Sequence, residues 1–368
     1  MMASFAMTLR NFRGPLSTKW SPTVSPSALL LDYYSNSIHC ISLRRPFSTT
    51  LRRDAVTWGF IGLGQMGYPM AKNLRAKIPR ADTLIICDVN KDVLHKFVGE
   101  VDTPKRELNV RIAADAREVA EKSDTIITSL PEPQHVKDVF RLILEPDMLP
   151  PAPQERLFID CSTIDPTSSK EVAHAVHSTR AGYFVDAPMS GGVVGARTGT
   201  LSFMFGASSK SGGLIERVES VLLLMGKRVW HLGEQGSGVS GKLANNYILA
   251  INNIATAEAM NLGIRWGLNA KVLADMINAS TGRCWPSEVN NPVPGLVETA
   301  PASRGYEGGF GVSLMKKDLK LAIAAARESG TSLELAETAQ KVYEATEDNY
   351  RGKDFSVVYK HLQDKSRQ

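Results

Sequence analysis

Lys242 lies in the run Gly236-Ser237-Gly238-Val239-Ser240-Gly241-Lys242-Leu243-Ala244-Asn245-Asn246, which opens a long helical pattern. At about 100° per residue, Lys242, Asn246 and Asn253 fall within about 40° of one another. A lysine and two asparagines on one face of an otherwise apolar helix are costly to bury. One reading is a solvated face. The other is chemical: a lysine whose pKa is lowered by burial and a neighbouring cation is a general acid or base. The glycines before it let another group approach the start of the helix closely.

A second constellation tells what that group is. Gly62-Leu63-Gly64-Gln65-Met66-Gly67 follows a short β-type run, residues 56–61, and opens a helical pattern carrying Met70, Leu74 and Ile78 on one face. Gly62 allows a tight turn, Gly64 lets the backbone approach a pyrophosphate, and Gly67 lets helix and strand pack closely. The helix start then offers free N–H groups and a positive dipole end to phosphates. Asp88 ends the next β-type run and can accept both hydroxyls of an adenosine ribose. A carboxylate there repels a 2′-phosphate, which favours NAD over NADP, although Lys91 is close by. An oxidised nicotinamide ring supplies the cation that Lys242 needs.

Two loops after strand-like runs could hold an anionic substrate. In Asp186-Ala187-Pro188-Met189-Ser190-Gly191-Gly192, consecutive N–H groups of the Ser190-Gly191-Gly192 turn can form an anion nest, and Ser190 adds a hydroxyl. A plain loop is the alternative. The second loop is Cys161-Ser162-Thr163-Ile164-Asp165-Pro166. In doubly wound sheets ligands sit beyond the carboxyl ends of the strands, where both loops fall. None of the seven histidines sits in a catalytic motif, no metal-ligand spacing is present, and no G-x-S-x-G elbow points to a hydrolase.

These side chains need a frame. β-type runs at 56–61, 83–87, 125–129, 157–160, 183–186 and 201–205 alternate with helical segments, which argues for βαβ units and a mostly parallel sheet. Near residue 235 the pattern becomes helical, over 240–266, 314–327 and 332–346. Residues 281–311, rich in Gly, Pro, Asn and Ser, form a long loop of the kind that carries function. The expected fold is an α/β Rossmann-type dinucleotide-binding domain, residues 54–234. It is joined by a long helix to an all-α C-terminal domain, residues 235–368.

The 368 residues suit two such domains, and a 43% hydrophobic, 22% charged composition is that of a globular chain. No apolar run is long enough for a membrane span. The net charge of +5 comes from residues 1–53, which hold seven basic residues and only Asp32 as an acid. The rest of the chain is nearly neutral, so a nucleic-acid surface is not indicated. The basic, Ser/Thr-rich leader, with Arg45-Pro46-Phe47-Ser48 and the arginines at 52 and 53, reads as a mitochondrial transit peptide for the matrix, mature from near Ala55. Four cysteines without paired spacing fit free thiols.

Together these motifs resemble the β-hydroxyacid dehydrogenase family. The resemblance runs from Trp58 to the C-terminus. It also takes in Gly282-Arg283-Cys284-Trp285, Asn291-Pro292-Val293-Pro294-Gly295, Gly308-Gly309-Phe310-Gly311 and Leu314-Met315-Lys316-Lys317-Asp318-Leu319. The Gly-Arg-Cys-Trp and Asn-Pro-Val-Pro-Gly stretches point to its hydroxyisobutyrate branch. The resemblance implies a Lys242 acid/base, a substrate site of Ser190, Gly191, Gly192, Asn246 and Trp285, and a homodimer or homotetramer. It implies an NAD site made of Gly62 to Gly67, Asp88, Leu130, Pro131, Thr163, Phe310 and Lys317, with Asp318 orienting Lys317. The substrate would be a small hydroxyacid, with tartronate semialdehyde, 4-hydroxybutyrate and serine as other candidates in the family. A non-catalytic dinucleotide-binding scaffold or an imine reductase would lack Lys242. Three departures stand out. Met189 replaces a smaller residue and is expected to tighten the substrate pocket. Glu132-Pro133-Gln134 replaces small polar residues beside the cofactor, and the stretch from Val101 to Arg111 is longer than usual.

Overall fold

The central strands of the main sheet are buried on both faces, which is the mark of a parallel sheet covered by helices. A computed structural model describes residues 54–101, 109–145, 148–151, 155–208 and 212–366. The expectations for the leader, and most of the long stretch after Val101, lie outside the described residues. In chain order the first part holds β1 (Thr57–Ile61), α1 (Gly67–Lys77), β2 (Thr83–Cys87), α2 (Lys91–Val101), β3 (Val110–Ile112), α3 (Ala116–Lys122), β4 (Thr125–Thr128), α4 (Pro133–Leu144), β5 (Leu157–Asp160), α5 (Pro166–Ser178) and β6 (Tyr183–Asp186). The sheet order is β3-β2-β1-β4-β5-β6, parallel throughout. Strand order reverses between β1 and β4, so the ligand crevice opens at their carboxyl ends.

A smaller sheet follows: β7 (Met189–Ser190), α6 (Gly192–Thr198), β8 (Leu201–Phe205), α7 (Leu214–Leu222) and β9 (Gly226–His231), in the order β7-β8-β9. Residues 201–205 therefore belong to a second sheet, not to the main one. An antiparallel bridge from Asp186 to Gly206 joins the two sheets. β3, β7 and β9 carry too little apolar alternation to be seen in sequence: β9 has mostly half-exposed or exposed positions, and β7 has two residues.

The helical part comprises α8 (Ser237–Arg265), α9 (Ala270–Ala279), α10 (Trp285–Glu288), α11 (Val312–Glu328), α12 (Ala336–Tyr350) and α13 (Val358–Lys365). α8 starts three residues earlier than its apolar period suggests, because Gly236 adopts φ +89° and a carboxylate from β6 accepts the first free N–H groups. Apart from α10 and a short 3-10 turn, Pro301–Arg304, the segment 281–311 is irregular but tied down by its own polar side chains. The Asn291 amide donates to Ser287 O, Tyr306 OH to Pro292 O, and the Ser303 hydroxyl to Val297 O. These bonds replace the ladder that its Gly and Pro residues cannot form.

Two apolar clusters fill the faces of the main sheet and a third fills the helical part. In the second, the Phe140 ring meets Phe158 and Phe184 edge-on at 5.4 and 5.1 Å. Phe140→Ala removes the centre of that trio, and its cost is expected to be about 3–5 kcal/mol. Urea unfolding should show this as a lower midpoint with an unchanged slope; a loss under about 1 kcal/mol would mean the cavity collapses.

Candidate active site

The glycine turn after β1 is built as a phosphate cradle. Gly62 sits at φ +94°, where a Cβ would lie 2.3 Å from Ser129 O. A Cβ on Gly67 would meet Gly62 O at 1.9 Å, so α1 can pack on the strand only with glycine there. Gly64 faces open space, and α1 has neither a side-chain cap nor an acid in its first turn. Its N–H groups are thus left for an anion. Leu63 N–H donates to Asp88 Oδ2 at 2.6 Å and Asn90 N–H to Oδ1 at 2.8 Å, which aims the carboxylate while leaving lone pairs for a ribose. Asp88, Lys91, Ile112 and Ala113 line a cleft of about 480 Å³. Open turn, uncapped helix and acid-lined cleft fit a dinucleotide. Gln65 and Met66 complete the turn.

Lys242 is 7% exposed, and its Nζ donates to Ser190 Oγ at 3.1 Å. Burial brings its pKa down from 10.5 to about 8. The Asp318 carboxylate opposes that shift and the Lys317 cation assists it. The polar stripe of α8 is therefore not a solvated face: Asn246 and Asn253 are buried as well. Asn246 Nδ2 donates to Asp318 Oδ2 at 2.7 Å and its Oδ1 accepts from Asn245. One amide N–H of Asn246 stays available. Asn253 has a packing task, donating to Tyr343 OH and Phe355 O.

On α11, Lys317 Nζ donates to Thr163 O at 2.7 Å and Pro131 O at 3.2 Å, and lies 3.2 Å from Asp318 Oδ1. It thereby clamps the loops after β4 and β5 to the helical part. Ser162 Oγ accepts from Leu130 N–H at 2.9 Å, which fixes the same two loops to each other. Asp165 caps α5, with Pro166 in its first turn. Two bonded sets thus meet here, Lys242 with Ser190, and Asn246 with Asp318, Lys317, Thr163 and Pro131, coupled through the charges of Asp318 and Lys317 on the Lys242 amine. The turn glycines Gly191 (φ +129°) and Gly192 (φ +60°) follow Ser190 directly.

One expected site residue, Trp285, lies far from the lysine along α8. Cys284 Sγ is 3.4 Å from Thr256 Oγ1, about 21 Å along α8 from Lys242. The next residue, Trp285, stacks on Phe355 at 6.5 Å, and Phe310 meets the same ring edge-on at 6.0 Å. Phe310 stands two residues before α11, the helix that carries Lys317. Met189 also differs from expectation. Strand alternation turns it into the core under the sheet, opposite Phe203, while Ser190 faces the lysine, so Met189 does not narrow the pocket. Glu132-Pro133-Gln134 forms the start of α4. His231 bonds to Ala207 O and stacks near Phe205, a structural role.

Sequence reasoning missed the duties of two acids. Asp186 accepts from Gly236 N–H, Val239 N–H and Gln235 Nε2, and Asp160 from Thr128 and Ser162. The only sequence signal was two strands ending in Asp beside loops already singled out. Asp318, expected beside Lys317, also joins that lysine to Asn246.

Residues 57–233 match the family model for the NAD binding domain of 6-phosphogluconate dehydrogenase. Residues 236–362 match that for the NAD-binding region of NADP-dependent 3-hydroxyisobutyrate dehydrogenase. The chain is 44% identical over 307 residues to the mitochondrial 3-hydroxyisobutyrate dehydrogenase of Rattus norvegicus, covering 83% of this chain and 87% of that one. It is 38% identical to the probable mitochondrial enzyme of Arabidopsis thaliana, covering 90% and 93%. Among solved structures, Mycobacterium tuberculosis 3-hydroxyisobutyrate dehydrogenase with L-serine superposes with a TM-score of 0.73 at 34% identity, over 84% of this chain and 99% of that one. With the cradle, the buried lysine and the lysine clamp in place, these likenesses agree on one conclusion: the chain belongs to the 3-hydroxyisobutyrate dehydrogenase family.

Proposed function

We propose that this chain oxidises 3-hydroxyisobutyrate to methylmalonate semialdehyde in valine breakdown, in the mitochondrial matrix, with residues 1–53 as the import segment. The cofactor is NAD. The observation that carries this reading is Lys242: a desolvated amine 3.1 Å from the hydroxyl of a turn suited to a carboxylate. The reading divides the chain into a cofactor domain, residues 54–234, and a helical domain, residues 235–368.

When bound, NAD supplies a hydride acceptor with a positively charged ring. The Ser190 hydroxyl and the N–H groups of Gly191 and Gly192 hold the substrate carboxylate, which fixes the distance to the reacting carbon. The free Asn246 amide N–H steadies the substrate. The neutral Lys242 amine accepts the substrate O–H proton as the hydride leaves the carbon that bears that hydroxyl. Lys317 keeps the Pro131 and Thr163 carbonyls in place along the cofactor, and Leu130 lines it. Asp88 takes the adenosine ribose. Trp285, next to Cys284 and far along α8 from Lys242, is assigned to the aromatic cluster of the helical domain, whereas Phe310, just ahead of the helix that carries Lys317, keeps its place beside the cofactor. A solved relative holding L-serine makes serine the second substrate to test.

The helical domain also exposes an apolar stripe. Ala244, Ile248, Ala255 and Leu262 share one face of α8, continued by Trp266 just past its end, with Ile248 60% and Trp266 72% exposed. The opposite face of α8 is already packed in the core, and a helix apolar on both sides belongs inside a protein. A second copy of the chain is the proposed cover, giving a homodimer or tetramer.

Three outcomes test the reading. Lys242→Ala should bind NAD normally and lose about 10²–10⁴-fold in turnover of 3-hydroxyisobutyrate; undiminished turnover would remove the lysine from the chemistry. Oxidation needs the neutral amine, so kcat/KM should climb as pH rises towards about 8 and level off above it, whereas reduction of the semialdehyde needs the ammonium and should decline there. A profile flat from about pH 6 to 9 would contradict this assignment. Ile248→Glu combined with Leu262→Glu should convert the assembly to monomers in light scattering. An unchanged mass would place the contact on another face.

A further inference from the structure

Asp160 and Asp186 end the adjacent strands β5 and β6 in the same register, and neither has any exposed surface. Residues paired across a parallel sheet project to the same face. Two carboxylates side by side in a dry sheet edge are expensive: burial raises the pKa of both, and the charge of Asp160 adds to the rise at Asp186. What each one holds accounts for its presence there.

Asp160 serves the loops after β4 and β5. Its Oδ1 accepts from Thr128 Oγ1 at 2.6 Å, Ser162 Oγ at 2.6 Å and Ser162 N–H at 3.2 Å. Ser162 Oγ in turn accepts from Leu130 N–H. One oxygen therefore sets Leu130, Pro131 and Thr163, and Lys317 grips the carbonyls of the last two. Asp160 Oδ2 has no hydrogen-bond partner among the described residues.

Asp186 serves the other side. Its Oδ1 accepts from Gly236 N–H at 2.7 Å and Gln235 Nε2 at 3.0 Å, and its Oδ2 from Val239 N–H at 2.8 Å. Lys242 lies less than one turn beyond Val239. Along the backbone Asp186 leads in four residues to Ser190, and its carbonyl accepts from Gly206 N–H. A Cβ on Gly206 would fall 2.7 Å from Asp186 Oδ1, and one on Gly238 2.8 Å from Oδ2, so the carboxylate is enclosed by glycines with no room to swing. A single side chain thus ties the substrate turn to the start of the lysine helix.

We infer that these carboxylates are positioning residues with separate duties: Asp160 sets the cofactor loops, and Asp186 sets the spacing between the Ser190 turn and the Lys242 amine. The inference rests on the proposed roles of Lys242 and the Ser190 turn. Neither acid touches a reactant.

The test is a pair of variants in the full mature chain, checked for folding by thermal unfolding. NAD affinity is followed by titration without turnover, and kcat and KM are measured with 3-hydroxyisobutyrate. Asp160→Ala should weaken NAD about tenfold, the worth of one lost hydrogen-bonded link, with kcat changing less than NAD affinity does. Asp186→Ala should lower kcat about 10- to 100-fold and raise the hydroxyacid KM, as misplacement of a catalytic group does, while NAD affinity holds. Equal effects of both variants on the same constants would overturn the inference. If either alanine variant does not fold, Ser162→Ala and Gln235→Ala each remove one strand of the two ties. They should reproduce the same split at smaller size, and no split overturns the inference. Amide exchange over residues 236–242, faster in Asp186→Ala and unchanged in Asp160→Ala, tests the tie independently of turnover. A chain that oxidises no hydroxyacid would fail the proposed function while leaving that exchange result and the NAD titration to stand or fall alone.

Discussion

The site is organised around an ammonium group taken out of water without a carboxylate of its own. Lys242 donates to a neutral hydroxyl, and the acid whose charge acts on it, Asp318, is already engaged by Asn246 and Lys317. A direct ion pair would hold the lysine charged and unfit to take a proton. Bringing its pKa from 10.5 to about 8 corresponds to about 3 kcal/mol. This lowered pKa opposes folding below about pH 8, where the native state must carry the buried charge, and the penalty fades as pH rises towards 10.5. The interactions around the lysine must offset it, and they are spread across both halves of the chain.

The carboxyl ends of the strands supply that support. Thr128, Asp160 and Asp186 occupy one register line across β4, β5 and β6, a polar row closing strands whose central residues are Ile, Phe and Val. The row places hydrogen-bond acceptors where loops leave the sheet. Each loop is therefore pinned at its root by a side chain within the rigid layer, and the tips carry the groups that meet ligands. Lys317 closes the arrangement from the opposite side by gripping the carbonyls of Pro131 and Thr163. With the first oxygen row set by the sheet and the cations set by α8 and α11, the crevice is lined by groups of opposite origin. Neither half makes the site alone.

Much of this was legible in the sequence because it is local. The Gly62 to Gly67 turn, the six runs at the strand positions and Asp88 lie within short windows whose spacing follows from one strand and one helix. Lys242 and Asn246 were legible for the same reason, being one turn apart on a helix. Local patterning did not reveal which way the stripe faced, since period alone allows both a solvated and a buried face; packing of α11 against α8 decides that. Nor could it show that Met189 points into the core: β7 is two residues long, too short for alternation to register. Trp285 was assigned to the substrate by motif likeness, yet the chain directs it to Phe355, because Cys284 docks against Thr256 almost four turns from the lysine.

The least legible contacts are the longest in sequence. Lys317 reaches partners 154 and 186 residues away, and Asp186 reaches a donor 50 residues on. Such contacts exist only after two separately cored layers have met, so no propensity or period encodes them. They still leave a trace. Asp is a poor strand residue and expensive to bury, so a buried Asp closing a strand must be compensated by several donors. Two consecutive strands of this chain end that way, immediately before the two loops with the strongest functional composition. Where local preference is broken twice at one edge of a sheet, the compensating donors have to come from the elements that cross that edge. Here those are the Ser162 and Leu130 loops on one side and the start of α8 on the other, which are the segments that carry the chemistry.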